Sequence, residues 1–319
     1  MNKPLFYQQA GAPRRAPGAA SLPYTGVFYS GASMQQPANL AHISAEQDWQ
    51  HTTAYPPLGF TPFAEGALGN GDTFGLYWPI GREASEPIVV ETWHDEWRLQ
   101  PHFSSLAAFL QAHAAAEDEY VGTPSLADDP ASPRAAFLEA KELIAQRNPD
   151  AAIALLEAAL ALVPEYTDAL VLLHGQYVRA GRIGEAVKVA IEAIISPPSF
   201  GGPPFKALQW LRTQPVPDGE PDPIWRACGQ LSFNFGGSKE NADYPVLLGA
   251  IATYVEQRNY LRASTLMQTY AELMSAETIS FQQRYGFEPA AFIARQIAVS
   301  ARLPHGSRDP AAPCLPGRD

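Results

Sequence analysis

The chain has 319 residues, 46% of them hydrophobic and 17% charged, which is enough apolar material for two packed domains. Its net charge of −11 argues against nucleic acid or an anionic membrane as partner, since both demand clustered Lys and Arg. Two widely separated cysteines, Cys228 and Cys314, suggest neither a disulfide framework nor a metal cluster and fit a reducing compartment.

Residues 1–20 carry Arg14-Arg15 but no apolar run comes after them, so neither a secretory nor a twin-arginine signal is expected. No stretch approaches the ~18 apolar residues that a membrane helix requires, and a cytoplasmic protein is expected. Residues 21–64 are rich in Pro, Gly, Ser and Tyr, with a helical period only over 40–49. Asn70-Gly71 then signals a type I′ turn, because both residues tolerate positive φ. The run 73–80, with Phe74, Leu76, Tyr77 and Trp78, predicts a strand. Ile88-Val89-Val90 with Trp93 predicts a second one after Pro87. Ser104-Ser105 ahead of Leu106, Phe109 and Leu110 reads as an N-cap opening an amphipathic helix.

This order of turn, strand, strand and helix resembles the core of the SUKH superfamily, the Smi/Knr-type domain. Gly69-Asn70-Gly71-Asp72 matches the glycine-rich turn of that family, and Ser105-Leu106-Ala107-Ala108-Phe109-Leu110 its helix start, with Leu106 replacing an aromatic. The resemblance covers about 65–112 and implies an α+β domain over 21–118. It also implies a bacterial immunity protein, which binds a cognate polymorphic toxin and blocks it without catalysis. Acidity concentrates here: residues 64–120 hold ten acids against two bases, Arg82 and Arg98. A basic toxin domain is therefore the expected partner, and Glu83, Glu86, Glu91, Asp95, Glu96 and Trp97 are the candidate contacts.

Residues 119–133 read as a linker, and Gly122 to Pro133 as its exposed hinge, for want of apolar residues and because of its prolines. Beyond it an internal repeat appears. Ala152 and Ala186, Ala159 and Ala193, and Pro164 and Pro198 all stand 34 residues apart. That period is the tetratricopeptide period. Two units are predicted, at 133–166 and 167–200, with Leu170, Leu173 and Tyr177 on one helix face and Gly181 ending that helix. Ala186 should lie where the paired helices meet, because only small side chains allow close approach. A third unit is expected at 244–276, displaced nine residues by an insert that contains Pro203-Pro204 and Pro215 to Pro223. Residues 289–302 should form a capping helix, and 304–319 a disordered tail like 1–20. The fold class is thus an α+β SUKH-like domain followed by an all-α tetratricopeptide-like solenoid at 134–303.

Motifs that would carry chemistry do not assemble. His94-Asp95-Glu96 lacks the Pro-Cys-x-x-Cys partner of a zinc deaminase, since Leu315-Pro316-Gly317 come after Pro313-Cys314. It reads instead as an acidic turn at a strand end, bracketed by Trp93 and Trp97. Gly69, Gly71 and Gly75 do not give the dinucleotide fingerprint. No catalytic residue, metal site or cofactor is expected. Tyr166, His174, Tyr177 and Arg179 are candidates to line a concave repeat face, although the register makes Tyr177 a core aromatic. The alternative to an immunity protein is a cytoplasmic scaffold or adaptor that holds a peptide through its helical repeats.

Overall fold

A four-stranded antiparallel meander occupies the N-terminal part of the computed structural model, which describes residues 54–64, 72–82, 85–116, 121–236 and 240–303. Its strands are β1 (Phe60–Ala64), β2 (Phe74–Tyr77), β3 (Ile88–Trp93) and β4 (Arg98–Phe103), in that spatial order. β2 and β3 are the two strands that the sequence predicts. The outer strands β1 and β4 have no such signal, and each carries a proline, Pro62 and Pro101. Both are edge strands, where a missing N–H removes no ladder bond. Each also breaks register, near Pro62 in β1 and opposite Val89 and Val90 in β4. Gly59 turns the chain into β1 at φ +97°, and a Cβ there would meet the Trp78 carbonyl oxygen at 2.3 Å. The Asn70-Gly71 turn and the period at 40–49 lie outside the described residues. Ser105 caps α1 (Leu106–Ala115) as expected, accepting from the Ala108 N–H at 3.2 Å.

Both faces of the sheet are covered. One face, with Phe60, Tyr77, Ile88, Val90 and Leu99, shares an apolar core with the repeat helices, including Phe137, Leu156 and Leu170. The other face, with Phe74, Leu76, Trp78 and Val89, packs on Phe109 of α1 and on Ile293 near the C-terminal end of the described chain. The sheet is thus a middle layer, and the expected division at 119–133 into two independent domains gives way to one interlocked body. The hinge expectation fails for a local reason too. Asp129 is buried and accepts from the Ser104 N–H and hydroxyl, both at 2.7 Å. Ser132 donates its hydroxyl to the His102 carbonyl while capping the next helix. Arg82 crosses from the strand layer to the Ala161 and Leu162 carbonyls.

The repeat helices are α2 (Pro133–Ala145), α3 (Pro149–Leu162), α4 (Thr167–Arg179) and α5 (Ile183–Ile195), so both pairs start 34 residues apart. Next come two short helices, α6 (Phe205–Leu211) and α7 (Pro223–Ala227). The third pair is α8 (Asp243–Glu256) and α9 (Tyr260–Ser275), close to the predicted unit at 244–276. All three pairs share one turn. Arg147, Gly181 and Arg258 take φ of 63°, 70° and 60°. The next N–H in each case closes on Leu143, Tyr177 or Tyr254, at 2.8 to 2.9 Å. This is the Schellman closure of a helix C-terminus. Ala186 has no exposed surface, as its register requires.

α9 is the hub. Twelve of its sixteen residues are buried, whereas an ordinary amphipathic helix buries one stripe. Its Gln268 donates to the Ala54 carbonyl at 3.1 Å and accepts from Gln296 of α11 (Pro289–Ser300) at 3.1 Å. Ser275 accepts from the Ala54 N–H, and Thr269 donates to the Ile195 carbonyl at the end of α5. Glu272 accepts from the Ser199 N–H at 2.9 Å and hydroxyl at 3.0 Å, and from Gln268 at 2.9 Å. α10 (Ile279–Arg284) joins α9 to α11, which does more than cap the array because it reaches the sheet as well.

Three measurements check this packing. Ala186→Leu should overpack the contact between paired helices and cost about 1–3 kcal/mol, read from urea midpoints. A proteolytic nick at 122–128 should leave two fragments that stay associated and melt in one transition, because each sheet face is buried against the second fragment. Separation of two independently folded fragments on a sizing column would contradict the shared core. Glu272 supplies the third. Burial pushes its carboxyl up to about 7 against an ordinary 4.5, although the Ser199 and Gln268 hydrogen bonds work the other way. A carboxyl raised on folding stabilises the protein below its unfolded pKa, and that contribution is lost as pH rises through the folded one. The melting temperature of Glu272→Gln minus that of the natural protein should therefore rise between about pH 4.5 and 7, and a flat difference would contradict it.

Candidate protein-binding groove

The six residues singled out in the acidic segment do not form one face. Glu91 is buried, 3.1 Å from Nε2 of the equally buried His102. It ties β3 to β4 and cannot meet a partner, which corrects its assignment as a contact. It shares a sheet face with Val89, and because both faces are covered, its neighbours Val90 and Thr92 on the opposite face are buried too. Glu86, Asp95 and Glu96 are exposed, whereas Glu83 lies outside the described residues. Trp97 sits half-buried at φ 54° in the β3–β4 turn and stacks on Tyr55, with ring centres 5.9 Å apart. His94 belongs to the same turn and contacts Asp72 through Nδ1 at 2.7 Å and Asp95 through Nε2 at 3.5 Å. Among the described residues no group of three or more His, Cys, Asp or Glu could hold a metal ion.

The concave-face candidates fare similarly. Tyr166, His174 and Tyr177 are buried, and Arg179 alone of the four is exposed. His174 packs edge-on against Trp210, and burial lowers its pKa to about 4, so it is neutral at physiological pH. Burial and the Glu157 carboxylate raise the Tyr177 phenol, which donates to Glu157.

The concavity lies elsewhere, between the second and third repeats. A groove of about 610 Å³ opens between α5, the loop ahead of α7, and the turn joining α8 to α9. Ile183, Val187 and Ile191 line one wall at four-residue spacing, hence as a single stripe of α5. Pro215, Pro221 and Trp225 form the second wall, and Tyr254, Asn259 and Arg262 the third. Ile183 is 46% exposed and Pro215 is exposed too, so the groove has an open apolar mouth.

Comparison with known proteins agrees with this partition. Residues 45–122 match the YfbP N-terminal domain, 143–197 a tetratricopeptide repeat, and 234–311 the YfbP C-terminal domain. No SUKH family model matches. Across 236 residues the chain is 38% identical to the uncharacterized protein YfbP of Escherichia coli (strain K12), covering 73% of this chain and 84% of that one. The chain belongs to the YfbP family. The SUKH resemblance at 65–112 thus falls inside a segment matched by the YfbP N-terminal domain, whose sheet is a four-stranded meander. A tetratricopeptide repeat suggests protein binding. No helix among the described residues is long and apolar enough to cross a membrane.

One charged node fastens the repeat segment to the YfbP C-terminal domain at the base of the groove. Arg262 of α9 donates to Glu192 of α5 and to Asp222 of the intervening loop, each at 2.6 Å. Asp222 also accepts from the Tyr254 hydroxyl at 2.8 Å and caps α7 through the Ile224 and Trp225 N–H groups. Burial opposes the Arg262 charge, but the two carboxylates outweigh it and push its pKa above the ordinary guanidinium range. Burial and then Asp222 raise the Tyr254 phenol, which keeps it a donor. The sequence shows the α5 stripe but not its opposing wall, because that wall comes from an insert with no period.

Arg262→Met should leave Glu192 and Asp222 buried without their cation, at a cost of about 3–5 kcal/mol. Adding Glu192→Gln and Asp222→Asn should recover part of that loss in denaturant titrations. A single-variant cost near zero would mean that the node does not hold the two segments together.

Proposed function

We propose that this YfbP-family chain is a non-catalytic adaptor that holds an extended segment of a partner protein in the groove between its second and third repeats. The groove itself carries the reading. Its walls are apolar and aromatic, its mouth exposes Ile183 and Pro215, and its base is fixed by a hydrogen-bonded node. Peptide-binding grooves combine apolar pockets with a rigid frame, and the node supplies that frame. The polar groups of the node satisfy one another, which favours binding over catalysis.

The finer reading, an immunity protein that occludes a basic toxin, has the SUKH resemblance and the acidity of residues 64–120 behind it. Exposed Glu86, Asp95 and Glu96 are compatible with electrostatic steering, but buried Glu91 contributes nothing to such a face. The adaptor reading is therefore preferred.

Selection of peptides from a random display library on the intact protein tests it. Selected peptides should carry apolar residues at regular spacing, and Ile183→Asp together with Pro215→Asp should weaken their binding at least about tenfold, or ~1.4 kcal/mol. Both sites are exposed, so circular dichroism should be unchanged. Peptides that bind the folded double variant as tightly as the natural protein would overturn the assignment of the groove.

A further inference from the structure

The first repeat and the sheet bring three cations together, away from the groove. Along α2, Arg134, Phe137 and Lys141 recur at three- and four-residue spacing and so share one face. The Arg134 guanidinium lies 5.7 Å and the Lys141 ammonium 5.6 Å from the centre of the Phe137 ring, so one ring holds two cations. Phe137 in turn packs on Tyr166, with 5.3 Å between ring centres, and Arg134 donates to the Tyr166 hydroxyl at 3.2 Å. β4 packs against α2 and contributes Arg98. Burial raises the Tyr166 phenol to about 12; Arg134 opposes that rise, Asp168 adds to it and Arg98 opposes it again. A charge acts on the phenol this way only from nearby, so Arg98 stands close to the hydroxyl that Arg134 holds.

These cations lack counter-charge. Arg262 at the groove base has two carboxylates, whereas among the described residues Arg98, Arg134 and Lys141 have none within ion-pair distance. The acceptor of Arg134 is a neutral hydroxyl, and its buried Nε has no acceptor among the described residues. Asp168 already accepts from the Gly202 N–H at 2.9 Å. Glu139 and Glu142 of α2 fall off the stripe at the helical period. Arg98 and Arg134 are half-buried and Lys141 is exposed, so the charges reach the surface. The Tyr55 hydroxyl donates to the Arg98 carbonyl at 2.8 Å, which puts the stacked Tyr55 and Trp97 rings at the border of the strip. Like charges held together in this way repel one another, and an anionic ligand relieves that repulsion.

We propose that this strip is a second docking site and takes an acidic segment of a partner protein. The Arg98 and Arg134 guanidinium groups donate to closely spaced Asp or Glu carboxylates, their planar forks favouring two parallel bonds each. Lys141 adds a third charge, and half-buried Trp97 an aromatic contact at the border. The net charge of −11 repels a long polyanion such as nucleic acid, but three cations suffice for a short acidic run. No residue of the strip lines the groove, so the two sites stand or fall separately, and both together would let one chain bridge two partner segments.

Peptide selection tests it, with the full chain carrying Ile183→Asp and Pro215→Asp as bait so that groove binders do not dominate. Peptides retained from a random display library should be enriched in Asp and Glu over the starting library. A synthetic copy of one should bind the natural protein equally well, and weaken several-fold between about 50 and 300 mM salt as the pairs are screened. Arg98→Gln together with Arg134→Gln should cost it at least about tenfold. Arg134 also braces Tyr166, so the melting temperature of that variant is measured alongside. Lys141→Glu changes an exposed site without that risk and should weaken the peptide about threefold or more. Retained peptides with no acidic bias, or acidic peptides that bind folded Lys141→Glu as tightly as the natural protein, would overturn the proposal. An oligonucleotide of equal charge that displaces the peptide at lower concentration would overturn it in favour of a phosphate ligand.

Discussion

The helix α9 meets the segment ahead of the sheet, the repeats and the C-terminal helix, and its polar residues decide how those parts fit together. A buried helix offers no gain from Gln, Ser, Thr and Glu side chains unless each finds a partner, since an unpaired polar group costs its full desolvation. Here the partners come from segments far apart in sequence. Gln268 joins the Ala54 carbonyl to Gln296, Ser275 meets the Ala54 N–H, and Glu272 holds Ser199. An apolar α9 could slide or rotate against its neighbours at little cost. The hydrogen bonds remove that freedom and fix one register for the sheet, the repeats and the C-terminal helix together.

The groove is a by-product of that register. Regular tetratricopeptide units stack so that each pair of helices buries the face of the last. The third pair repeats the turn geometry of the first two and buries Val187 and Ile191 of the α5 stripe, but it leaves Ile183 exposed. Arg262, Glu192 and Asp222 span the resulting gap instead of apolar packing. Buried charge of this kind contributes less to stability than packed side chains would, yet a broken pair is costly, so the geometry is held tightly. A site of fixed shape results without any residue devoted to chemistry.

The helical half is legible in the sequence because its period is strong and its alanines must recur where helices approach. The shared turn is legible only at Gly181. Arg147 and Arg258 adopt the same left-handed conformation with a side chain, which hides the repeat from a reader looking for glycine. The outer strands are hidden for a similar reason, since Pro62 and Pro101 argue against strands everywhere except at an edge. The expectation of two separate domains rests on a run of small and polar residues that resembles a hinge. In that run Asp129 and Ser132 hydrogen-bond to Ser104 and His102 and anchor the segment. Glu91 shows the limit of charge counting, because a strand covered on both faces buries a carboxylate whichever way it points. Of the groove's three walls, the one that comes from the insert has no pattern.

The sheet's second face has a consequence for biosynthesis. Phe74, Leu76, Trp78 and Val89 are made early, but Ile293, which helps cover them, lies more than two hundred residues later. A chain emerging from its N-terminus can form the meander and α1 promptly, then must carry a partly uncovered apolar face until α11 appears. At about 5–20 residues per second that wait lasts on the order of ten seconds or more. Contacts of such long sequence separation close slowly, and an uncovered sheet face is prone to self-association meanwhile. The prolines and register breaks in β1 and β4 act in that interval, because they spoil both open edges as templates for another strand.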